Sequence, residues 1–498
     1  MGNTLNLGNG NWGVKDSSLL GYKKRQNGRF LPETFDVARG SAGTRVNQSG
    51  LIETVTEILS ADLITNGDFT TDTDWTKQDG WTISGGKANA NMVLGGNGNI
   101  YQTILTVGKT YKLTFTVSNY VQGYIRNVSQ DGALPLYNSN GTFTEYFVAN
   151  TSNLFMNAST SESTQLSIDN ISVVEVNRDN LARIDYTDDA AGVLLTEPQS
   201  TNLRQLSNTY VGDATIRGTI NNDATEPSPS GVLGVEYLTA TSANGLILDS
   251  SILTGDGTFS VYLKRKTGVG DIRMSINGGV SNTTMAVTNE WKRFSISSTT
   301  GLGQLVVSCL TSGDEVYIWG WQEEALSYPT SLIPTVGVVA TRLADVVNNA
   351  GDVNNFNSEE GVLFVEISAL GDNSTKKGIS ISDGTISNRI ILRYGNQLNK
   401  LEYIVVSSGA IQANMNTFAY DILDNLKIAV KFKENDFALW VNGLEVATDT
   451  SGSTFPIGTL SELNLDSTTL ESFYGKTKNI QVFDEALSDA ELQTLTTI

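Results

Sequence analysis

Tyr111-Lys112-Leu113-Thr114-Phe115-Thr116-Val117 alternates apolar and polar residues with period two. That period places every second side chain on one face, the signature of a strand buried on one side. A shift of 148 residues carries Tyr111-Lys-Leu-Thr-Phe onto Phe259-Ser-Val-Tyr-Leu. The same shift carries Phe143-Thr-Glu-Tyr-Phe-Val onto Trp291-Lys-Arg-Phe-Ser-Ile, and Ile168-Asp-Asn-Ile-Ser-Val onto Val316-Tyr-Ile-Trp-Gly-Trp. Three strand-like segments that keep one spacing predict two copies of one β-sandwich, over residues 61–177 and 203–335.

The texture around them is all-β. Asn-Gly pairs recur at Asn66-Gly67, Asn140-Gly141, Asn277-Gly278 and Asn442-Gly443, and Asn-Gly accepts the positive φ of tight hairpins. A third block, 350–498, follows a linker at 336–349 and has its own pattern. It opens on Gly361-Val-Leu-Phe-Val-Glu-Ile and continues into a long hairpin from Leu426 through Phe432 to Val441. It ends on Ser488-Asp-Ala-Glu491, a capping box with Leu487 and Leu492 placed as a hydrophobic staple, which predicts a short helix from Asp489 to Thr496.

Composition narrows the chemistry. The 498 residues contain no His and one Cys. This removes imidazole general bases, Ser-His-Asp and Cys-His hydrolysis, and Cys-based zinc sites. The 53 acidic residues leave two-carboxylate glycoside hydrolysis as the remaining enzymatic route, but nothing marks a pair. Cys309, in a strand pattern, reads as a small buried hydrophobe. A net charge of −20 repels nucleic acid, no apolar run approaches a membrane span, and Met1-Gly-Asn-Thr does not read as the start of a secretory signal peptide, so none is expected. The charge is uneven. Residues 1–50 hold seven basic residues (Lys15, Lys23, Lys24, Arg25, Arg29, Arg39, Arg45) against three acidic ones, giving +4 there and −24 elsewhere. A basic segment of this kind docks on an acidic partner or on its own acidic body.

Several segments carry a family resemblance. Ile64-Thr-Asn-Gly-Asp-Phe69, the nearby Trp75 and Trp81, and Ile168 to Val176 resemble jelly-roll carbohydrate-binding modules. Leu439-Trp-Val-Asn-Gly443 and Phe483 to Leu492 resemble concanavalin-like, laminin-G-type sandwiches. Leu5 to Leu20, Arg39 to Val55, Ala182 to Tyr186, Gly192 to Leu203 and Ser327 to Asp345 are similar to segments of tail-fibre-like and head-fibre-like virion proteins of bacteriophages of Bacteroidetes. The implied fold is all-β: tandem β-sandwiches, comprising two jelly rolls and a concanavalin-like sandwich, with an N-terminal attachment segment and a short C-terminal helix. The attachment segment spans 1–60 and is completed by 178–202. Arg39, Arg45, Arg183 and Arg342 stand near Glu53, Asp185, Glu197 and Asp345 in these connecting segments. Planar Arg–carboxylate pairing predicts that the segments gather into a collar.

The resemblance implies a non-enzymatic fibre or adhesin at the surface of a virion, assembled in the cytoplasm of a bacterial host. It would be a homotrimer, bound to other virion proteins through its basic end and to host-surface glycans through its sandwiches. A head fibre or capsid decoration with spacer sandwiches, and a polysaccharide depolymerase, are the alternatives. Sugar rings pack on aromatic faces while amides bond their hydroxyls. Trp75, Trp81, Tyr101, Tyr120 and Tyr124 are the candidate platforms; Trp75 and Trp81 either offer a ring to a sugar or plug the sandwich end. Trp319 and Trp321 fall on one face of a strand and read as core. No cofactor is expected beyond a structural calcium that the resemblance implies in the first jelly roll, at Asp68 and Asp169. Asp68 reads equally as a turn former.

Overall fold

A computed structural model describes residues 3–8, 12–15, 18–24, 30–93, 98–132, 134–158, 163–210, 213–467 and 471–498. It is nearly all β, with one short helix, Asp489–Thr496, among the described residues. No helix among them is long and apolar enough to cross a membrane. The chain divides into two compact units, Thr56–Arg178 and the remainder.

Thr56–Arg178 is the first sandwich. One sheet runs in the order Gly141–Val148, Thr110–Gln122, Thr164–Asn177, Ala88–Met92, Trp81–Ile83. The other runs Ile125–Asn127, Asn153–Ala158, Gly98–Thr103, Thr76–Lys77. The opening alternation does what its period demands: Tyr111, Leu113, Phe115 and Val117 are buried while Lys112, Thr114 and Thr116 are not. Val173, Leu154, Met156 and Ile100 close the core between the sheets.

The second sandwich repeats that order. Lys292–Ser298, Gly257–Thr267, Glu315–Glu324, Leu233–Ala240 and Gly218–Pro227 form one sheet. Its first three strands are those the 148-residue shift aligns. The second sheet runs Ala214–Ile216, Gly245–Leu253, Leu302–Cys309, Ile272–Ser275, Thr283–Met285. Phe259, Val261, Leu263 and Trp321 fill the core, and Cys309 is buried with them as a free thiol.

One expectation is corrected here. Trp319 and Trp321 do not share a face. The pairing of Gly257–Thr267 with Glu315–Glu324 slips by one residue between Ser260 and Tyr262. Gly320 takes up the slip at φ +66°, a left-handed conformation natural to glycine. Trp321 therefore points into the core and Trp319 out of it.

The third sandwich faces Glu360–Ala369, Leu426–Lys433, Phe437–Val441, Leu444–Asp449 and Gly475–Phe483 against the sheet built on Lys377–Ser382, Arg389–Tyr394, Leu401–Ser407 and Ala410–Thr417. Asn442 (φ 51°) and Gly443 (φ 83°) make the predicted tight turn. The C-terminal helix forms at the predicted capping box: Glu491 Oε2 reaches back to accept from Ser488 N at 2.9 Å, and Ser488 Oγ donates to the same oxygen at 2.7 Å. Leu487 and Leu492 lay it over Val362, Phe364, Trp440 and Phe483 on the outer face of the sheet.

The N-terminal segment is not a separate body, and this too departs from expectation. Asn3–Gly8 pairs antiparallel with Gly475–Phe483, and Ser18–Lys24 and Phe30–Ala38 continue the same sheet. Leu5, Leu7, Leu19 and Phe35 enter the third sandwich's core. The expected linker 336–349 also carries strands. Ala340–Arg342 pairs with Ser200–Asn202, and Val346–Asn348 pairs with Phe30–Ala38.

The connecting segments meet in a buried knot of charge. Arg39 Nη1 lies 2.6 Å from Asp345 Oδ1, Arg183 binds both Asp345 and Glu197, and Arg342 Nη1 lies 2.9 Å from Glu197 Oε2. All five side chains are almost fully inaccessible. Ser331 N and Oγ each donate to Glu197 at 2.6 Å, and Arg342 Nη2 donates to Pro198 O at 2.7 Å. Glu324, buried beside them, accepts from Ser200 Oγ at 2.7 Å. Three guanidiniums thus face three carboxylates, the near-neutral count that burial demands. Burial pushes Glu197 up, but Arg342 and Arg183 outweigh it and hold the carboxyl down at about 2. Nearer the surface Arg45 Nη2 pairs with Glu53 at 2.9 Å, and Asp185 Oδ2 accepts from Val46 N at 2.8 Å.

The same pairing accounts for part of the basic N-terminal charge. Lys23 lies 2.6 Å from Glu33 and 3.0 Å from Asp352. With Arg39 and Arg45, it is neutralised within the chain. Arg25 and Arg29, and the side chains of Lys15 and Lys24, lie outside what the structure describes.

Candidate functional site

The strongest candidate surface is the outer face of the four-stranded sheet in the first sandwich. Gly98–Thr103 turns Ile100 inward, so Asn99, Tyr101 and Thr103 point out. Asn153–Ala158 turns Leu154 and Met156 inward, so Asn153, Phe155 and Asn157 take the outer side. Register then sets Tyr101 opposite Phe155, Asn99 opposite Asn157 and Thr103 opposite Asn153. Ile125–Asn127 adds Arg126 opposite Asn157, and Thr76–Lys77 adds Thr76 opposite Tyr101.

The geometry is an aromatic pair set in a ladder of amides. The Tyr101 and Phe155 rings lie 4.9 Å apart, tilted by 52°. Asn157 Nδ2 donates to Asn99 Oδ1 at 2.8 Å, and Thr103 Oγ1 donates to Asn153 Oδ1 at 2.6 Å. Arg126 Nε donates to Asn157 Oδ1 at 3.2 Å, and its guanidinium stands 5.7 Å from the Tyr124 ring. Half-buried rings beside fixed donors and acceptors can pack a sugar's C–H groups and bond its hydroxyls.

The structure therefore brings Tyr101 and Tyr124 to one surface and takes the other candidates elsewhere. Trp75 and Trp81 are corrected from platforms to core: both are buried against Phe69, Ile100 and Met92. Their indole N–H groups donate to Asn66 O at 3.0 Å and Gly98 O at 3.1 Å, which ties the sandwich end together. Tyr120 is half-buried and leans on the same core. Phe155 and Arg126 were not singled out from sequence; the parity of Asn153–Ala158, with Phe155 between buried Leu154 and Met156, is the signal that finds the first.

Asp68 and Asp169 lie on neighbouring segments, because Ile171 N donates to Gly67 O at 3.0 Å. Asp169 Oδ1 accepts from Asn170 N at 2.7 Å, and Asp68 Oδ1 accepts from Thr70. No group of three or more acidic, His or Cys side chains stands together among the described residues. A calcium here would take most of its six to eight oxygens from backbone carbonyls.

Two other features of the sandwiches bear on binding. A groove of about 630 Å³ in the first sandwich is lined by Gln130, Asp131, Tyr146, Asn150 and Arg178, among others. Arg178 stacks 4.1 Å above the Tyr146 ring, so that ring face is taken. Behind Gln130 sits Glu145, a buried carboxyl bonded by Gln130 and, at 3.1 Å, by Tyr137 Oη. Burial pushes Glu145 up to about 7 against the pull of those bonds. In the second sandwich the outward Trp319 joins Tyr237, Tyr262, Trp291 and Tyr317. That aromatic face is roofed by Ile52, Val46 and Leu332. Trp291 Nε1 donates to Pro227 O at 2.9 Å, Tyr317 Oη donates to Asp223 at 2.8 Å, and Lys266 Nζ stands 3.4 Å over Tyr237. It is a second small core, closed by the chain itself.

No protein-family model matches this chain, and no curated protein matches it. Among solved structures it is similar to domain 4 of a GH43 extracellular arabinanase from Geobacillus stearothermophilus, in complex with arabinotriose. That match has 12% identity and a TM-score of 0.26, and covers 32% of this chain and 77% of that one. It is also similar to the N-terminal CBM22 tandem domain of Paenibacillus barcinonensis Xyn10C, with 10% identity and a TM-score of 0.19, over 54% and 99% of the two chains. A third similarity is to Trypanosoma rangeli sialidase, with 8% identity and a TM-score of 0.23, over 98% of each.

Proposed function

We propose that this chain is a non-enzymatic, modular fibre or adhesin of a bacteriophage particle, whose first sandwich binds host-surface glycans across the Tyr101–Phe155 face. The observation that carries the binding half is the aromatic pair itself. Two rings on the outer side of a sheet contribute nothing to the core beneath them, yet they sit inside a fixed frame of Asn, Thr and Arg side chains. The particle half is supported by the resemblance of the connecting segments. The buried charge knot gives those segments a physical role, as the body that holds the second and third sandwiches. A homotrimer would multiply a weak sugar affinity by avidity.

The test is a glycan array probed with the full chain. Binding that is lost in Tyr101→Ala and Phe155→Ala, with folding unchanged, supports the reading. No binding to any glycan by the unsubstituted chain overturns the adhesin. Release of reducing ends from host polysaccharide overturns the non-enzymatic assignment.

A further inference from the structure

We propose that the Tyr101–Phe155 face selects acidic glycans, with a sugar carboxylate seated on the outer amines of Arg126. The inference rests on the glycan-binding reading and names its ligand class.

The first observation is where Arg126 differs from other arginines in this chain. Arg39, Arg45, Arg183, Arg204, Arg342 and Arg393 each pair with a carboxylate. Among the described residues Arg126 meets no carboxylate. Its single hydrogen bond to them runs from Nε to an amide oxygen, Asn157 Oδ1, and its Nη amines reach no acceptor there. A guanidinium held at Nε keeps its far edge aimed and unoccupied. That edge presents parallel N–H groups matched to the two oxygens of a carboxylate.

The second observation is how the arginine is held. Asn157 is 2% exposed. It donates to Asn99 while accepting from Arg126, so a buried amide fixes the plane of the cation before any ligand arrives. Orientation set in advance lowers the entropy cost of binding. Asn157 is a positioning residue here, and Arg126 is the group that touches the ligand.

The third is charge. The paired positions of this face carry Thr76, Asn99, Tyr101, Thr103, Asn153, Phe155, Asn157 and Arg126, and no carboxylate. In a chain with 53 acidic residues and a net charge of −20, paired positions that carry one cation and no anion among the described residues are a local inversion of sign. At physiological ionic strength charges beyond about 8 Å are largely screened, so the face and not the total charge sets the selection.

The experiment compares binding of the full chain to oligogalacturonate and to its carboxyl-reduced, neutral counterpart, alongside an array holding other uronate- and sialate-bearing glycans. The unsubstituted chain is expected to favour the acidic form by about tenfold or more, the scale of one charged hydrogen-bond pair. Arg126→Gln is expected to abolish that preference, read as the ratio of the affinities for the acidic and neutral oligomers. Arg126→Lys restores it only in part, because an ammonium lacks the planar fork. Equal affinity for the acidic and neutral forms, or a preference that survives Arg126→Gln, overturns the proposal and leaves glycan binding standing. Absence of binding to every glycan overturns both.

Discussion

Arg183 and Asp345 lie 162 residues apart in the chain and bond directly, with both side chains out of contact with solvent. Asp345 also holds Arg39. Removing one member of a buried ion network leaves uncompensated charge, at a cost of about 3–5 kcal/mol. Asp345→Asn takes the carboxylate partner from Arg39 and leaves Arg183 with Glu197 alone. It is expected to lower stability by at least that range, read as a fall in the urea midpoint of the unit that contains the knot.

The knot also predicts a response to acid. Glu197 titrates at about 2 in the folded chain and near the ordinary carboxylate value when unfolded. Its contribution is complete above about pH 4.5 and falls away as pH drops toward 2, by a total on the order of 3 kcal/mol. Glu197→Gln should remove that dependence and lower stability at pH 7.

Glu145 runs the other way. It titrates at about 7 in the folded first sandwich, above its unfolded value. Between about pH 4.5 and 7 the folded state holds a proton that the unfolded state has released, so stability falls as pH rises through that window. Hydrogen exchange of peptides from 141–148 should show stronger protection at pH 5 than at pH 8, after correction for intrinsic rates. Glu145→Gln should flatten the difference; an unchanged difference would show that another group is responsible.

Gly320 is a point of strain for any other residue. A Cβ there would lie 3.0 Å from Tyr262 Cδ2 and 3.3 Å from Leu332 Cδ1, at φ +66°. Gly320→Ala is expected to cost roughly 1–2 kcal/mol from the backbone alone. Deleting Gly320 removes the bulge and leaves Trp321 directly after the outward Trp319, where plain strand alternation keeps it in the core, so the second sandwich is expected to retain its cooperative thermal transition.

Binding and stability separate by residue in the first sandwich. Trp75→Ala and Trp81→Ala open buried volume and should destabilise it by about 3–5 kcal/mol. Tyr101→Ala lies on the outer face and should leave the thermal midpoint within a few degrees while weakening glycan binding. Parallel melts and binding isotherms of the three variants check this.

What could be read from sequence was local, and what escaped it was not. Period-two alternation around Leu113 and Phe259, the Asn442-Gly443 turn and the Ser488–Glu491 box each act within a few residues, and each formed as expected. The Arg and carboxylate partners of the knot could be named because both are polar residues in connecting segments with little other use for charge. The pairing of Asn3–Gly8 with Gly475–Phe483 has no local trace, since a strand's partner is set by tertiary contacts. One residue of slip at Gly320 reversed the facing of Trp321, because strand parity carries no tolerance for an insertion. The tryptophans near Asp68 looked like surface rings because polar residues surround them in sequence; in space their neighbours are Phe69 and Met92.

The pairing of Asn3–Gly8 with Gly475–Phe483 also sets a timetable. A ribosome adding about 5–20 residues per second needs roughly 25–90 s to make the chain between them. Thr56–Arg178 emerges whole early in that interval and has every partner strand it requires. Leu5 and Leu7 leave the tunnel before it and must stay unaggregated until Gly475–Phe483 is made. Asn3–Gly8 is thus seated long after it is made, and a nascent chain halted anywhere before Gly475 leaves it exposed for chaperones and proteases to find.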